Sequence, residues 1–498
     1  MLSLILHLSL ILCVYCDLSE YKSKRDKLIQ DEYRLTLGGN INLTEKETIV
    51  NNCIMKYKFL EVDYGFTNPK YFNFSHHYFS YKEKIRYSKV YQIIKDMPKG
   101  AALHVHDMGI LGPDYLMNIT YMDNLYVCFD RNVNLKFSNK PPNIPCDGEW
   151  QLVSKIRDTC GNITKFDAKL RKHFSLVVEN PDIVYPSITE SWNTFMNYFV
   201  TVAPMLTYRP IWEQYFYDVL YKFRENNIMY VEVRSILPKL YELDGTEYDP
   251  LITAKAYRKA ITRFTKDYPD FVGAKLIYAP SRQVDNVTVE EYLKLAKILK
   301  KDVPEIFAGF DLVGQEDLGS PLIEFLPQLV AARDEINYFF HAGETDWYGT
   351  STDDNLFDAI LLGAKRLGHA YALPKHPLLM KEVINNDIGL EVNVISNTVL
   401  SLVRDVRNHP LNIFLAHGLP VVLSSDDPGA WEADPISEDY YVAFVGVASR
   451  VSDLRMLKAL AMNSLKYSAL DGNNKANAIK KFTVSWNDFV EKFNCASY

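Results

Sequence analysis

No basic run in this 498-residue sequence is long enough to track a phosphate backbone, and a net charge of −7 points away from nucleic acid. No segment beyond residue 16 is long and apolar enough to span a bilayer. Internal repeats and low-complexity tracts are absent, which excludes a repeat array. Cysteine is sparse, with seven residues in the whole chain. What remains is an ordinary globular composition, 48% hydrophobic and 23% charged, long enough for a large core and more than one structural unit.

The first sixteen residues, MLSLILHLSLILCVYC, hold no acid or base and give way at once to DLSEYKSKRD. They read as a secretory leader cut near Cys16, with a buried N-terminal helix as the alternative. An exported, extracellular chain is consistent with five N-x-S/T sequons, at Asn42, Asn73, Asn118, Asn162 and Asn286, taken here as glycosylation sites. Removal of the leader takes Cys13 and Cys16 and leaves Cys53, Cys128, Cys146, Cys160 and Cys495. The odd count requires one free thiol or a pairing between chains. Cys128 and Cys146 bracket a loop rich in Pro and Asn and form the favoured disulfide, worth about 3 kcal/mol on the loop-entropy account. The other three are left unassigned.

Residues 17 to 62 read as two helices, the first stopping at Gly38-Gly39-Asn40 and the second opening on a Thr44/Glu47 capping box. So small a pair must dock on the main body or on another subunit. From residue 100, short β-branched and aromatic runs alternate with amphipathic stretches. Strands are expected at 101–106, 228–235, 271–279, 307–314, 337–343, 365–370, 388–396 and 420–426. Thr288/Glu291 reads as another capping box, and Ser320-Pro321 as a helix start. Eight β-then-α units predict a (β/α)8 TIM barrel. The first connection, 107–227, is far too long for a loop and must be an inserted subdomain.

ALHVH ends the first strand. Residues two apart on a strand face the same way, so His104 and His106 aim together into the barrel mouth, where such barrels keep their active sites. Other strand ends add His341 with Glu344 in FFHAGETDW, Gly314 in DLVG, His369 in RLGHA, and Asp426 with Asp427 in SSDDPG. Taken singly, each has a bland explanation: a core histidine, a capping glutamate, a turn aspartate. Together on one rim they need partners or an ion, because buried imidazoles and carboxylates are costly alone. Three histidines and one carboxylate suit zinc with room for a water, so His104, His106, His341 and Asp426 are the expected ligands. Asp426 and Asp427 cannot both ligate while the strand stays regular, and Asp427 would turn to the substrate as the strand ends. Glu344 stands as a general acid, and His369 as the group that orients the water or accepts its proton.

H-x-H, H-A-G-E, L-G-H and S-D-D-P in this order resemble the adenosine deaminases, and the long insertion, helical extension and leader resemble their secreted, growth-factor-related branch. The likeness runs from about residue 20 to the end and takes in MPKGAALHVHD, AGFDLVG, FFHAGETDW, ISN, RNHP, SSDDP and AMNS. It implies zinc on the four residues above and adenosine and 2′-deoxyadenosine as substrates. It also implies a proton donor to purine N1 at Glu344, a water-orienting His369, an N7 partner at Asp427 and backbone at Gly314 close to N3. Asp107 then meets a ribose hydroxyl, and Trp192 closes the pocket. The implied division is a leader over 1–16, a helical dimerisation region over 17–90, a barrel over 91–106 and 228–492, and an insertion over 107–227. Residues of about 120–175 would meet a cell-surface receptor or a glycosaminoglycan, and a growth-factor-like binding protein using the barrel as scaffold is the rival function. Departures from the pattern are Ala370 for a common glycine, Gln315 where a close relative has histidine, and Ser281 for a histidine of some secreted members.

Overall fold

The computed structural model describes residues 2–130 and 132–498, with side chains from Asp17 onward. The leader expected over 1–16 therefore lies outside the described side chains. Eleven strands follow in order: β1 Gly100–His106, β2 Leu125–Phe129, β3 Val133–Phe137, β4 Gln151–Leu152, β5 Ile228–Ser235, β6 Gly273–Tyr278, β7 Phe307–Phe310, β8 His341–Ala342, β9 Arg366–His369, β10 Gly389–Val392 and β11 Val421–Leu423.

Eight of them make the barrel. β1-β5-β6-β7 and β8-β9-β10-β11 are two parallel four-stranded sheets. Single bridges close the ring at Val105–Asp426 and Phe310–Tyr338. At the first seam His106 N–H donates to Asp426 O (3.0 Å) and Asp426 N–H to His104 O (3.1 Å). The strand expected over 337–343 shrinks to two residues and that over 420–426 to three. In the second the cause is local: Asp426 has φ +58°, in the left-handed region, so regular pairing ends where the chain turns into the barrel mouth.

Two helix starts differ from expectation. Asp285, not a Thr288/Glu291 box, caps the Asn286–Asp302 helix, accepting from both the amide and the hydroxyl of Thr288. A carboxylate is favoured there by the exposed amides and the helix dipole. Ser320-Pro321 does not start an α-helix; the Leu322 amide is taken by Asn355 Oδ1 (2.7 Å), and a 3₁₀ turn Leu322–Phe325 precedes the Leu326–Ala332 helix.

Thr44 and Glu47 do form a capping box, opening the Glu45–Thr67 helix. That helix packs on its own barrel: Val50, Cys53 and Ile54 are buried, and Glu47 accepts from Lys458 and Trp486. Cys53 is bonded to Cys495, and Cys128 to Cys146; among the described residues Cys160 is free. The insertion builds an antiparallel sheet, β3-β2-β4, and two long helices, Ile188–Leu206 and Arg209–Glu225.

Candidate metal centre and active site

Four imidazoles and one carboxylate meet at the C-terminal mouth of the barrel. Ligating atoms of His104, His341, His369 and Asp426 lie within 4.8 Å of one another, and so do those of His106, Asp426 and Asp427. His106 Nε2 is 3.1 Å from Asp426 Oδ1, and the His104–His341 ring centroids are 4.5 Å apart. All seven candidates named from the sequence at this rim are thus brought together, with Glu344 Oε1 3.2 Å from His369 Nδ1. Asp426 leaves the regular strand conformation, so both adjacent aspartates come within reach of His106, and Asp427 also borders the adjoining cavity.

Each deep histidine is held from behind. His104 Nδ1 pairs with Glu391 (2.7 Å) and His341 Nδ1 with Asp311 (2.7 Å), the arrangement that orients an imidazole toward an ion. His104 Nε2 is buried and makes no hydrogen bond, so a donor nitrogen is left over inside a ring of further donors. That orphan, with the mixed nitrogen and oxygen set around it, fits a borderline divalent cation.

The charges are set by burial. Burial holds the His341 imidazole down to about 3 and lowers His369 well below the usual range. Burial, then the Asp426 and Glu316 carboxylates, pushes Glu344 well above the usual carboxylate range; burial and Asp426 do the same to Asp427. Burial would also raise Asp426, but the neighbouring His104 and His106 imidazoles hold it well below.

A cavity of about 270 Å³ opens onto this cluster and is bordered by Asp107, Trp192 and Gly314, the substrate residues expected from the sequence. Gly314 has φ +113°, which a side chain rarely adopts, although the space beside it is open. Gly109 answers to crowding instead: a Cβ there would lie 1.9 Å from Asp427 Oδ1, itself buried without a partner. Both Asp107 oxygens are already engaged, by the Met108 amide and the Tyr257 hydroxyl.

Sequence reasoning did not assign Glu316, Arg282, Asp311, Glu391 or Arg234. Glu316 accepts from the amides of Gly343 (3.1 Å) and Glu344 (2.5 Å), and Arg282 donates to His341 O (2.9 Å). Arg234 bridges Asp311 and Glu391. For Arg234, Asp311 and Glu391 the signal was a charge inside an otherwise apolar run, as in YVEVRS, GFDLV and IGLEV, which burial makes costly unless paired; Glu316 and Arg282 carried no such signal.

A closed parallel barrel with a buried histidine–aspartate cluster at its C-terminal rim defines a hydrolase barrel whose site suits a metal ion. Residues 171–484 match the family described as adenosine deaminase, and residues 5–94 match the adenosine/AMP deaminase N-terminal family. Adenosine deaminase of Aedes albopictus is 42% identical over 471 residues, 94% of this chain and 87% of that protein. Adenosine deaminase 2-A of Danio rerio is 39% identical over 492 residues, 97% of each chain. Human adenosine deaminase 2 is 38% identical over 474 residues, 94% of this chain and 92% of that one. Among solved structures, Arabidopsis ADAL complexed with GMP shares the fold, with a TM-score of 0.58 at 16% identity over 80% of this chain and 99% of that one. The chain belongs to the adenosine deaminase family and is a hydrolase.

Proposed function

We propose that the protein is a secreted, zinc-dependent deaminase that converts adenosine and 2′-deoxyadenosine to inosine and 2′-deoxyinosine with release of ammonia, lowering extracellular adenosine. The observation that carries this is the partnerless buried nitrogen of His104 inside a ring of three more imidazoles and Asp426. His104, His106, His341 and Asp426 would hold the zinc. When bound, such an ion supplies Lewis-acid activation of water at neutral pH.

The remaining roles fall to the chain's own side chains. Glu344, kept protonated by its buried setting, gives its proton to purine N1 as water adds at C6. His369 stands beside both Glu344 and Asp426, placed to orient the attacking water and to take its proton. The C6–N bond then breaks, ammonia leaves with that proton, and the C6 hydroxyl returns a proton to Glu344 as the carbonyl forms, so no oxidant or reductant is needed. Asp427 offers its unpartnered Oδ1 to the ring at N7, the Gly314 backbone meets N3, Asp107 meets a ribose hydroxyl, and Trp192 closes the cavity. Among the described residues the one Lys or Arg on the cavity wall is Arg234, buried and doubly paired, which favours a nucleoside over a nucleotide.

The test is the fall in ultraviolet absorbance as adenosine becomes inosine, with and without a chelator. Glu344→Gln should retain the ion and lose at least about 100-fold in kcat. Near-normal turnover in that variant would remove Glu344 from its role.

Exposed Asn42, Asn118, Asn162 and Asn286, with Asn73 half-buried, are the proposed glycan sites. Exposed Tyr21, Leu28, Ile29 and Leu35 support homodimerisation through the region 17–90, ahead of the barrel over 91–106 and 228–492. Receptor or glycosaminoglycan binding is favoured by one observation: within the insertion 107–227, no described residue of 120–175 borders the cavity. Growth stimulation that survives His104→Ala would favour that role over deamination.

A further inference from the structure

The cavity wall is lopsided. Everything polar enough to meet a purine's reacting edge lies at the barrel rim, and much of the remaining lining is apolar: Trp192, Phe195, Met196 and Phe199 from the insertion helix, Ile236 after β5, and Val313 after β7. Met196 and Ile236 remain 49% and 47% exposed at the mouth. Resting on the deaminase reading, C6 and N1 face the ion-binding cluster and Glu344. The sugar is attached at the far edge of the purine and must lie along the apolar wall. Apart from the rim cluster and the paired Arg234, the polar side chains bordering the cavity are Asp107 and Ser281. One carboxylate and one hydroxyl suffice for two sugar hydroxyls. The 5′ position, which projects furthest from the ring, is left against hydrocarbon with no cation to meet a phosphate.

We infer that the site also accepts adenine nucleosides whose 5′ carbon bears an uncharged apolar group, 5′-deoxy-5′-alkylthio nucleosides being the chemical class that fits. The chemistry is unchanged: water adds at C6, ammonia leaves, and the 5′ substituent is not altered. Its place is to cover Met196 and Ile236, which adenosine leaves partly wet.

The experiment compares kcat/KM for adenosine, 5′-deoxyadenosine, its 5′-methylthio, ethylthio and propylthio derivatives, and adenosine 5′-monophosphate. Loss of the 5′ hydroxyl should cost less than about tenfold, since no charged partner awaits it. Each added methylene should raise kcat/KM by about two- to fourfold, the transfer gain of one buried CH₂. The monophosphate should fall at least about 100-fold below adenosine, its charge being desolvated without a partner. Ile236→Asn should flatten the methylene gradient. A fall in kcat/KM with each added carbon, or a monophosphate turned over as well as adenosine, overturns the inference while leaving the deaminase reading intact. Failure to act on adenosine itself removes the deaminase reading and this one together.

Discussion

Glu391 shows how one residue governs the site without touching substrate. Its carboxylate accepts from His104 Nδ1 and Arg234 Nη2 at 2.7 Å each and from Arg366 Nε at 2.5 Å. Burial alone would raise its pKa, yet Arg234 and Arg366 hold it well below the usual range, so it stays charged beside a metal-facing imidazole. Asp311 does the same for His341, and Arg234 ties the two carboxylates together. Replacing Glu391 by Gln leaves the shape but removes the charge that fixes His104. Ion affinity should drop about 10–100-fold, measured by competition with a chelator. The metal-free fold should lose roughly 3 kcal/mol, because Arg234 and Arg366 are left short of a buried counter-charge. Unchanged ion retention would show that Glu391 serves the barrel and not the site. The rim histidines were legible because strand periodicity alone puts i and i+2 on one face. Their supports were not, because pairing Glu391 with His104 requires the register of strands 287 residues apart.

At the scale of elements, boundaries were legible where a local signal had no competitor. The Thr44/Glu47 box is such a case. At Asp285 a stronger capping residue stood three positions ahead of Thr288, and the carboxylate prevailed. Strand ends were the least legible part, since a strand that closes a barrel stops when its carbonyls must turn toward the site, a tertiary event. The Glu45–Thr67 helix carries a feature that hydropathy hides: Lys58 is fully buried, donating to Ser449 O (2.8 Å) and Ser452 O (2.7 Å) with its ammonium 3.9 Å from the centre of the Phe444 ring. Burial lowers it to about 7, Asp453 opposing and Arg450 assisting. Between about 7 and its ordinary value near 10.5, the unfolded chain binds more protons than the folded one, so this residue makes stability rise with pH across that window. Below about 7 both states are protonated and the penalty for the buried charge is at its full value. The stability of the wild type relative to Lys58→Met should therefore increase from pH 7 to pH 9, read from thermal unfolding of both proteins in parallel. A difference that stays flat or shrinks would mean that the ammonium keeps its proton through the two carbonyl bonds.

At the scale of the whole molecule, the Glu45–Thr67 helix and the C-terminal Gly472–Lys492 helix form one clamp on the side of the barrel. Cys53 and Cys495 are 442 positions apart in sequence, whereas Cys128 and Cys146 are separated by 18. The short loop made the second pair readable from sequence; the first needs the fold, which brings the Glu45–Thr67 helix against the Gly472–Lys492 helix through Glu47 and Trp486. The loop-entropy account assigns about 3 kcal/mol to the short closure and about 6 kcal/mol to the long one, because the lost freedom of the unfolded chain grows with the logarithm of loop length. The clamp is also where packing, the Lys458–Glu47 pair and the disulfide act on the same surface, so cutting the disulfide frees an element that still has other holds. The Cys53→Ser/Cys495→Ser double variant should consequently unfold at lower temperature than Cys128→Ser/Cys146→Ser, while adenosine turnover well below either transition stays near wild type, since none of these cysteines borders the cavity. The reverse order of melting would show that the unfolded chain is already compact around the clamp, and that the insertion, not the termini, is the part of the molecule that depends on its crosslink.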